Sequence, residues 1–311
     1  MFATLLGGLP NPDPAGELEA AIEAVIRAQE EAGLEPITDG RLRDPGFERW
    51  VGSVEGWRFA ASLTNKAVKQ ALPGPYTLGR HGPGTSAAPS GATAADATGA
   101  RAARTMAFAG QLRRQVETLA AAGCAMVEIE ETEAHLVGED EYERALFREA
   151  HARVTEGIEG THLSLSIVGK AAWSAGIETI LAAPYASLAV DLINGPDNWN
   201  LVTRTPGDRG IVVGALGNRE AIDEPNEVLL WGANYAASTK GRGLARVGLG
   251  SAGSYVNLPW VAALRKIQVL GNAARLAELP PAELAKHVDP QSISAKSGAI
   301  GRPAPKRPRR C

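Results

Sequence analysis

A chain of 311 residues, 44% of them hydrophobic, with net charge −3 and pI near 6.0, is long enough to bury one large core or two smaller ones. The near-balanced charge leaves no footprint for nucleic acid or a membrane surface, and no apolar run approaches the ~20 residues of a spanning helix. Two cysteines, Cys124 and Cys311, make neither a disulfide framework nor a dithiolate metal motif; with no basic leader at the N-terminus, they fit a reducing cytoplasm.

The run Ala3-Thr-Leu-Leu-Gly7 predicts a first buried strand, and Asp13 with Pro14 predicts a capped helix that Gly33 ends. Leu34-Glu-Pro-Ile-Thr38 reads as a second strand closed by Asp39-Gly40, and residues 41–66 as an aromatic-rich, partly helical connection. Ala67-Val-Lys-Gln-Ala-Leu72 is a third strand. Residues 78–100 are nearly all Gly, Ala, Ser, Thr and Pro and predict a long low-complexity loop, of the kind that serves as a lid or a binding loop. Helical spacing returns over 101–122 through Phe108, Leu112, Val116 and Leu119.

Val127-Glu-Ile-Glu-Glu-Thr-Glu133 follows as a fourth strand, with Glu128, Glu130, Glu131 and Glu133 crowded at its end. Burying unpaired carboxylates costs several kcal/mol, so such a strand ends in a site, a salt-bridge cluster or an exposed acidic loop. A helix over 140–158, a strand over 161–167, a short helix near 173–181 and a strand over 188–193 come next. The remaining elements are a helix around Trp199, a strand over 210–216, a helix over 225–239, a strand over 246–250 and a helix from Pro259 to about 277. Residues 279–311 are Pro-rich and basic at their end and read as a disordered tail.

Eight short apolar strands, most followed by a helix, imply a parallel sheet with crossovers, and eight units over residues 1–278 match a (β/α)8 TIM barrel. No glycine-rich phosphate motif opens a helix. In a barrel the chemistry gathers at the carboxyl ends of the strands. Those ends predict Gly7 and Gly8, Asp39, Thr77, the carboxylates Glu128, Glu130 and Glu131, and His162 with Ser164 and Ser166. They add Asp191, Asn218, and Ser251 with Ser254 and Tyr255. A lone His162 is more often a satisfied core histidine; a histidine and several carboxylates on different strands point to a site.

In order along residues 3–277, the chain resembles the cobalamin-independent methionine synthases, relatives of the uroporphyrinogen decarboxylase and alkyl-thiol transferase barrels. The resemblance runs through Thr4-Leu-Leu-Gly-Gly-Leu-Pro-Asn-Pro12, Gln29-Glu-Glu-Ala-Gly-Leu-Glu-Pro-Ile-Thr-Asp-Gly40 and Val68-Lys-Gln-Ala-Leu-Pro-Gly-Pro-Tyr-Thr77. It continues through Val127-Glu-Ile-Glu-Glu-Thr132, Thr161-His-Leu-Ser164, Ser251-Ala-Gly-Ser-Tyr-Val-Asn-Leu-Pro259 and Lys266. It implies methyl or alkyl transfer to a small thiol such as homocysteine, from a methyl-folate or methyl-corrinoid donor, with a zinc ion that makes the thiol a thiolate. Carried over, the zinc ligands become His162, Ser164, Asp191 and Gly253, so both thiolates are lost and only His162 and Asp191 remain as candidate metal ligands. The implied substrate pocket carries Gly8, Asp39, Arg41, Thr77, Glu128, Ser164, Asn218 and Tyr255; Arg41 stands where the family has a glutamate and Glu130 where it has an aspartate. His162, Glu130, Glu131 and Asp191 are the catalytic candidates.

Two further readings stay open. One is a metal-free decarboxylase or lyase in which Glu130 or Glu131 works with His162; the other is a non-catalytic, ligand-binding barrel. The expected partners are a small-molecule substrate and a protein partner such as a methyl-donor protein, with no nucleic acid and no membrane.

Overall fold

A computed structural model describes residues 1–44, 46–47, 53–84, 93–221 and 224–288. Its centre is a curled sheet of seven parallel strands: β1 Phe2–Thr4, β2 Lys69–Pro73, β3 Met126–Glu131, β4 His162–Ile167, β5 Ser187–Asp191, β6 Gly210–Leu216 and β7 Val247–Ser251. The order across the sheet is β1-β7-β6-β5-β4-β3-β2, so each strand from β2 to β7 lies beside its neighbour in sequence, as crossover connections dictate.

The predicted second strand is reduced to a parallel bridge between Ile37 and Val68. Pro36 explains this, because it has no N–H to continue a ladder. The segment still spans the gap between the sheet's edges: Glu35 N donates to Ala3 O at 2.9 Å, Ile37 N to Ala67 O at 2.9 Å, and Lys69 N to Ile37 O at 2.9 Å.

Alternation along the strands separates two apolar regions. Val127, Ile129, Leu163, Leu165, Leu188, Val190, Ile211 and Val213 join the large core beneath the helices. The other face carries a small cluster of Leu6, Val168, Ala189 and Val212, with Phe2 against it. The same inner face holds Glu128 opposite Ser164 and Glu130 opposite Ser166, so the interior of the curled sheet is polar on one side and apolar on the other.

The helices are α1 Leu18–Ala32, α2 Glu55–Ser62, α3 Pro75–His81, α4 Ala94–Ala121, α5 Glu141–Thr155, α6 Ile177–Ile180, α7 Trp199–Arg204, α8 Asn226–Ser238, α9 Trp260–Leu276 and α10 Pro281–Leu284. Gly33, at φ 81°, ends α1 as expected, but Asp13 does not cap it. Residues 13–16 close a turn instead, with Gly16 N on Asp13 O at 3.1 Å, and α1 starts after Glu17.

The low-complexity loop expected over 78–100 is also corrected. Leu78 to His81 belong to α3, and α4 begins at Ala94. Thr93 and Asp96 form a reciprocal capping box, and the alanines that follow are the best helix formers. Positions 85–92 of that loop, Trp50 of the aromatic connection, and residues 289–311 of the expected tail, Cys311 included, lie outside the described residues. Within the expected tail, α10 is ordered as a helical turn. No helix among the described residues is long and apolar enough to cross a membrane.

Candidate functional site at the carboxyl ends of the strands

The acidic strand splits by its own pleat. Glu128 and Glu130 enter the interior of the sheet, while Glu131 turns outward to the helices. Glu128 is fully buried; its Oε2 accepts from Lys69 Nζ at 3.0 Å, and the same ammonium donates to Leu5 O at 2.6 Å. Among the described residues Glu128 Oε1 has no hydrogen-bond partner, nor do the buried hydroxyls of Ser164 and Ser166 on the next strand. Burial raises the Glu128 carboxyl above its ordinary range, Lys69 opposes the shift, and Glu130 adds to it.

Two residues on, along the same face of β3, Glu130 Oε2 accepts from Arg41 Nη1 at 2.9 Å. Arg41 also donates from Nε to Asp44 Oδ2 at 3.0 Å and makes a second, short contact to the same oxygen from Nη2. Burial by itself would lower the Arg41 guanidinium, but Glu130 and Asp44 overcome that and hold it above its usual range. Arg41 sits in left-handed backbone at φ 57°, an uncommon state for a residue with a Cβ, which Asp39 supports by accepting Arg41 N on Oδ1 at 2.8 Å. Asp39 is itself buried, and burial raises its carboxyl against the pull of the Arg41 N–H.

These two carboxyls set a pH dependence. A carboxyl with a raised folded value holds more protons than the unfolded chain, so its contribution to stability falls as pH rises from the ordinary carboxylate range through the folded value. Chemical denaturation followed from pH 4.5 upward should show this decline, and Glu128→Gln should flatten it. An unchanged pH profile in that variant would mean that Glu128 ionises in the folded protein as easily as in the unfolded one.

Glu131 has a different task from the one expected of it. It is fully buried, with Oε1 accepting from Tyr76 N at 2.9 Å and Oε2 from Thr77 N at 2.8 Å and Thr77 Oγ1 at 2.6 Å. His151 Nε2 lies 3.1 Å from Oε1, and His151 Nδ1 lies 2.7 Å from the Tyr185 hydroxyl. Every acceptor position of the carboxylate is occupied, and it closes the first turn of α3. Thr77 is committed with it, since its Oγ1 also accepts from Thr132 N at 3.1 Å. Glu131, expected to be catalytic, and Thr77, expected to bind substrate, are here bonded to each other and to the start of α3.

His162 is displaced from the site altogether. It is the first residue of β4, paired with Met126, and its Nε2 lies 2.8 Å from Ser187 Oγ. Asp191 ends β5 opposite Gly214. The two are separated by about six residues of strand, roughly 20 Å at ~3.3 Å per residue. They cannot ligate one metal, and His162 cannot serve as acid or base beside Glu130. Ser164, midway along β4, faces Glu128 and not Asp191.

Gly253, in the place of the second lost thiolate, lies beside Asp191 and Val168: a Cβ there would stand 3.9 Å from Asp191 Oδ2 and 4.0 Å from Val168 Cβ. Neither Gly253 nor Val168 offers a donor. The Asp191 carboxylate is already filled, accepting from Ile193 N and Asn194 N on Oδ1 and from Gly169 N and Asn194 Nδ2 on Oδ2. Cys124 precedes β3 and is buried, which pushes its thiol up to about 11. Among the described residues no three His, Cys, Asp or Glu side chains are grouped to hold a metal. A thiolate-rich zinc centre does not fit this donor set.

Of the remaining predicted residues, Gly8 lies against Arg41: an added Cβ there would stand 3.6 Å from Arg41 Cβ. Gly7, at φ 77°, lets the chain pass Ser254, whose Cα would lie 2.6 Å from an added Cβ. Ser254 Oγ meets both N and O of Gly8 at 3.1 Å, and Tyr255 N donates to Gly8 O at 2.8 Å. The Tyr255 hydroxyl is spent on Leu216 O at 3.1 Å. Asn218 follows β6, half-buried. Lys69, His151 and Tyr185 join the network of Glu128 and Glu131 from outside the residues that the strand ends predict. Lys69 carried a signal, a lysine inside the apolar run 67–72 and the first residue of β2; His151 and Tyr185 are spaced as ordinary helix and loop residues.

No protein-family model matches the chain, and no curated protein does. Among solved structures, a vitamin-B12-independent methionine synthase from a Shewanella species, in complex with selenomethionine, is similar with TM-score 0.69 and 15% identity, over 91% of this chain and 98% of that one. A Listeria monocytogenes protein assigned as a vitamin-B12-independent methionine synthase is similar with TM-score 0.65 and 16% identity, over 88% and 97%. A methyltransferase from Methanosarcina mazei is similar with TM-score 0.58 and 11% identity, over 88% and 93%. At these identities what is shared is the fold: the chain has the fold of methionine synthase-like and methyltransferase structures along most of its length.

Proposed function

We propose that the chain is a methyl- or small-alkyl-transferase acting on a small thiol such as homocysteine, with its site at the carboxyl ends of the strands around Arg41 and Glu130. The observation that carries this is the Arg41–Glu130 pair, a buried ionic contact held at the end of β3 by strained backbone, above carboxylate and hydroxyl groups left without partners. Unsatisfied buried polar groups are rare in native interiors and mark places that water or a ligand fills. The shared fold supports the reaction class, and selenomethionine, held by the Shewanella protein, is the selenium counterpart of an S-methyl amino acid. Residues 34–38 act in this reading as the eighth stave of a closed (β/α)8 barrel.

In the transfer, the thiol sulfur attacks the donor's methyl carbon, the bonding pair of the donor–methyl bond leaves with the donor (on the corrinoid cobalt, or on the folate N5, which ends protonated by way of the site's base), and the thiol gives up its proton. With no thiolate-rich zinc centre fitting the residues, the proton's acceptor is Glu128 Oε1, whose proton affinity burial raises. Arg41, fixed by Glu130 and Asp44, presents its guanidinium at the carboxyl end of β3, where it can hold a polar group of the substrate. A methyl-folate or a methyl-corrinoid, free or on a donor protein, is the donor class.

The test is mass-spectrometric detection of methionine after incubation with homocysteine and methyltetrahydrofolate or methylcobalamin. Turnover is expected. Arg41→Ala should lower kcat/KM by about 10- to 100-fold, the loss of one charge-assisted contact. His162→Ala should stay within about twofold, since His162 lies at the other end of β4. Folded protein that methylates no thiol from either donor overturns the proposal.

A further inference from the structure

We propose that the amino-terminal end of the sheet holds a second small-molecule site, for a compact apolar molecule with one neutral hydrogen-bonding head, of the short-chain alcohol class. A cavity of about 390 Å³ opens there, within the range of small-ligand pockets and at the opposite end of the strands from Arg41. It exists because the first inward residues of several strands are small. Gly248 leaves room for the Phe2 ring, which an added Cβ would meet at 2.4 Å, and Gly210 faces Ser187 with only 3.0 Å to spare for one. Phe2, Met126 and Val212 supply the apolar wall.

Within that wall, one polar pair stands ready. His162 Nε2 and Ser187 Oγ are 2.8 Å apart, and Nδ1 of the imidazole makes no hydrogen bond among the described residues. The pair therefore retains hydrogen-bonding capacity for an incoming group. Partial desolvation by the surrounding wall lowers the imidazole from its usual range, which favours its neutral form. Asp208 and Arg246, the lining residues with formal charge, are of opposite sign, so the lining carries no net charge to favour an anion or a cation. Apolar walls with a few convergent polar groups are how small-molecule sites fix orientation. The functional reading of the carboxyl end uses none of these residues, and the two proposals stand or fall separately.

The experiment titrates the full chain with 1-hexanol, hexanoate and hexylammonium, and follows the His162 ring resonances by NMR, assigned with His162→Gln. Hexanol is expected to shift them saturably, and each ion to bind at least tenfold more weakly. Ala245→Phe, a change at the exposed rim that narrows the entrance, is expected to weaken hexanol at least tenfold with the unfolding transition unmoved. No saturable shift with hexanol in the folded wild type overturns the site. So does equal binding in Ala245→Phe, or binding of either ion as tight as hexanol.

Discussion

Glu131→Ala is expected to destabilise the protein by about 3–5 kcal/mol, the largest effect of any single carboxylate change. The substitution strips acceptors from Tyr76 N, Thr77 N, Thr77 Oγ1 and His151 Nε2 at once, all in a buried setting. Two of these are backbone donors in the first turn of α3, which has no side-chain cap of its own, so the helix start loses its anchor to β3. The void would be tightly bounded, because Gly74 has no room even for a Cβ beside the Glu131 carboxyl. Urea unfolding checks the figure. A loss under about 1 kcal/mol would show that water replaces the carboxylate without cost, and that Glu131 is free for chemistry after all.

Lys69→Met is expected to cost about 3–5 kcal/mol for a different reason. It leaves Glu128 buried without its ion pair, an acid that must either carry an uncompensated charge or take up a proton to stay there, since Lys69 is the ion pair on Oε2. The double variant Lys69→Met with Glu128→Leu should recover most of that loss, because an apolar pair of similar size is often as stable as a buried ion pair. The pair's presence is thus better explained by what it leaves poised in the interior than by stability. A double variant as unstable as Lys69→Met alone would show that the ion pair itself holds β2 against β3. Urea or thermal unfolding of the three variants reads the cycle.

The acidic strand shows where sequence reasoning reached and where it stopped. Its burial and its position at the end of a strand were legible from Val127 and Ile129 beside four glutamates. Glu130 and Glu131 read as one functional pair, yet consecutive strand residues face opposite ways, so one went to the interior and one to the helices. The period-two rule alone would have separated them. His162 was read as belonging to the end of its strand, although it precedes the apolar residues of β4 and therefore enters at the amino end. Pro36 broke the ladder of a run otherwise apolar enough to pass as a full strand. What no local pattern carries is the long-range company of each charge: that Arg41 would reach Glu130, or His151 would reach both Glu131 and Tyr185, depends on the curl of the sheet and the packing of α5.

The reading of the carboxyl-end mouth as the place where a small S-methyl or thiol compound binds is tested most directly by calorimetric titration of L-methionine into the wild type, Arg41→Ala and His162→Ala. Saturable heat in the wild type and in His162→Ala, with affinity lowered at least about tenfold in Arg41→Ala, is the predicted result, as loss of about 1.4 kcal/mol or more from a charge-assisted contact requires. No heat in the folded wild type, or undiminished affinity in Arg41→Ala, would contradict it.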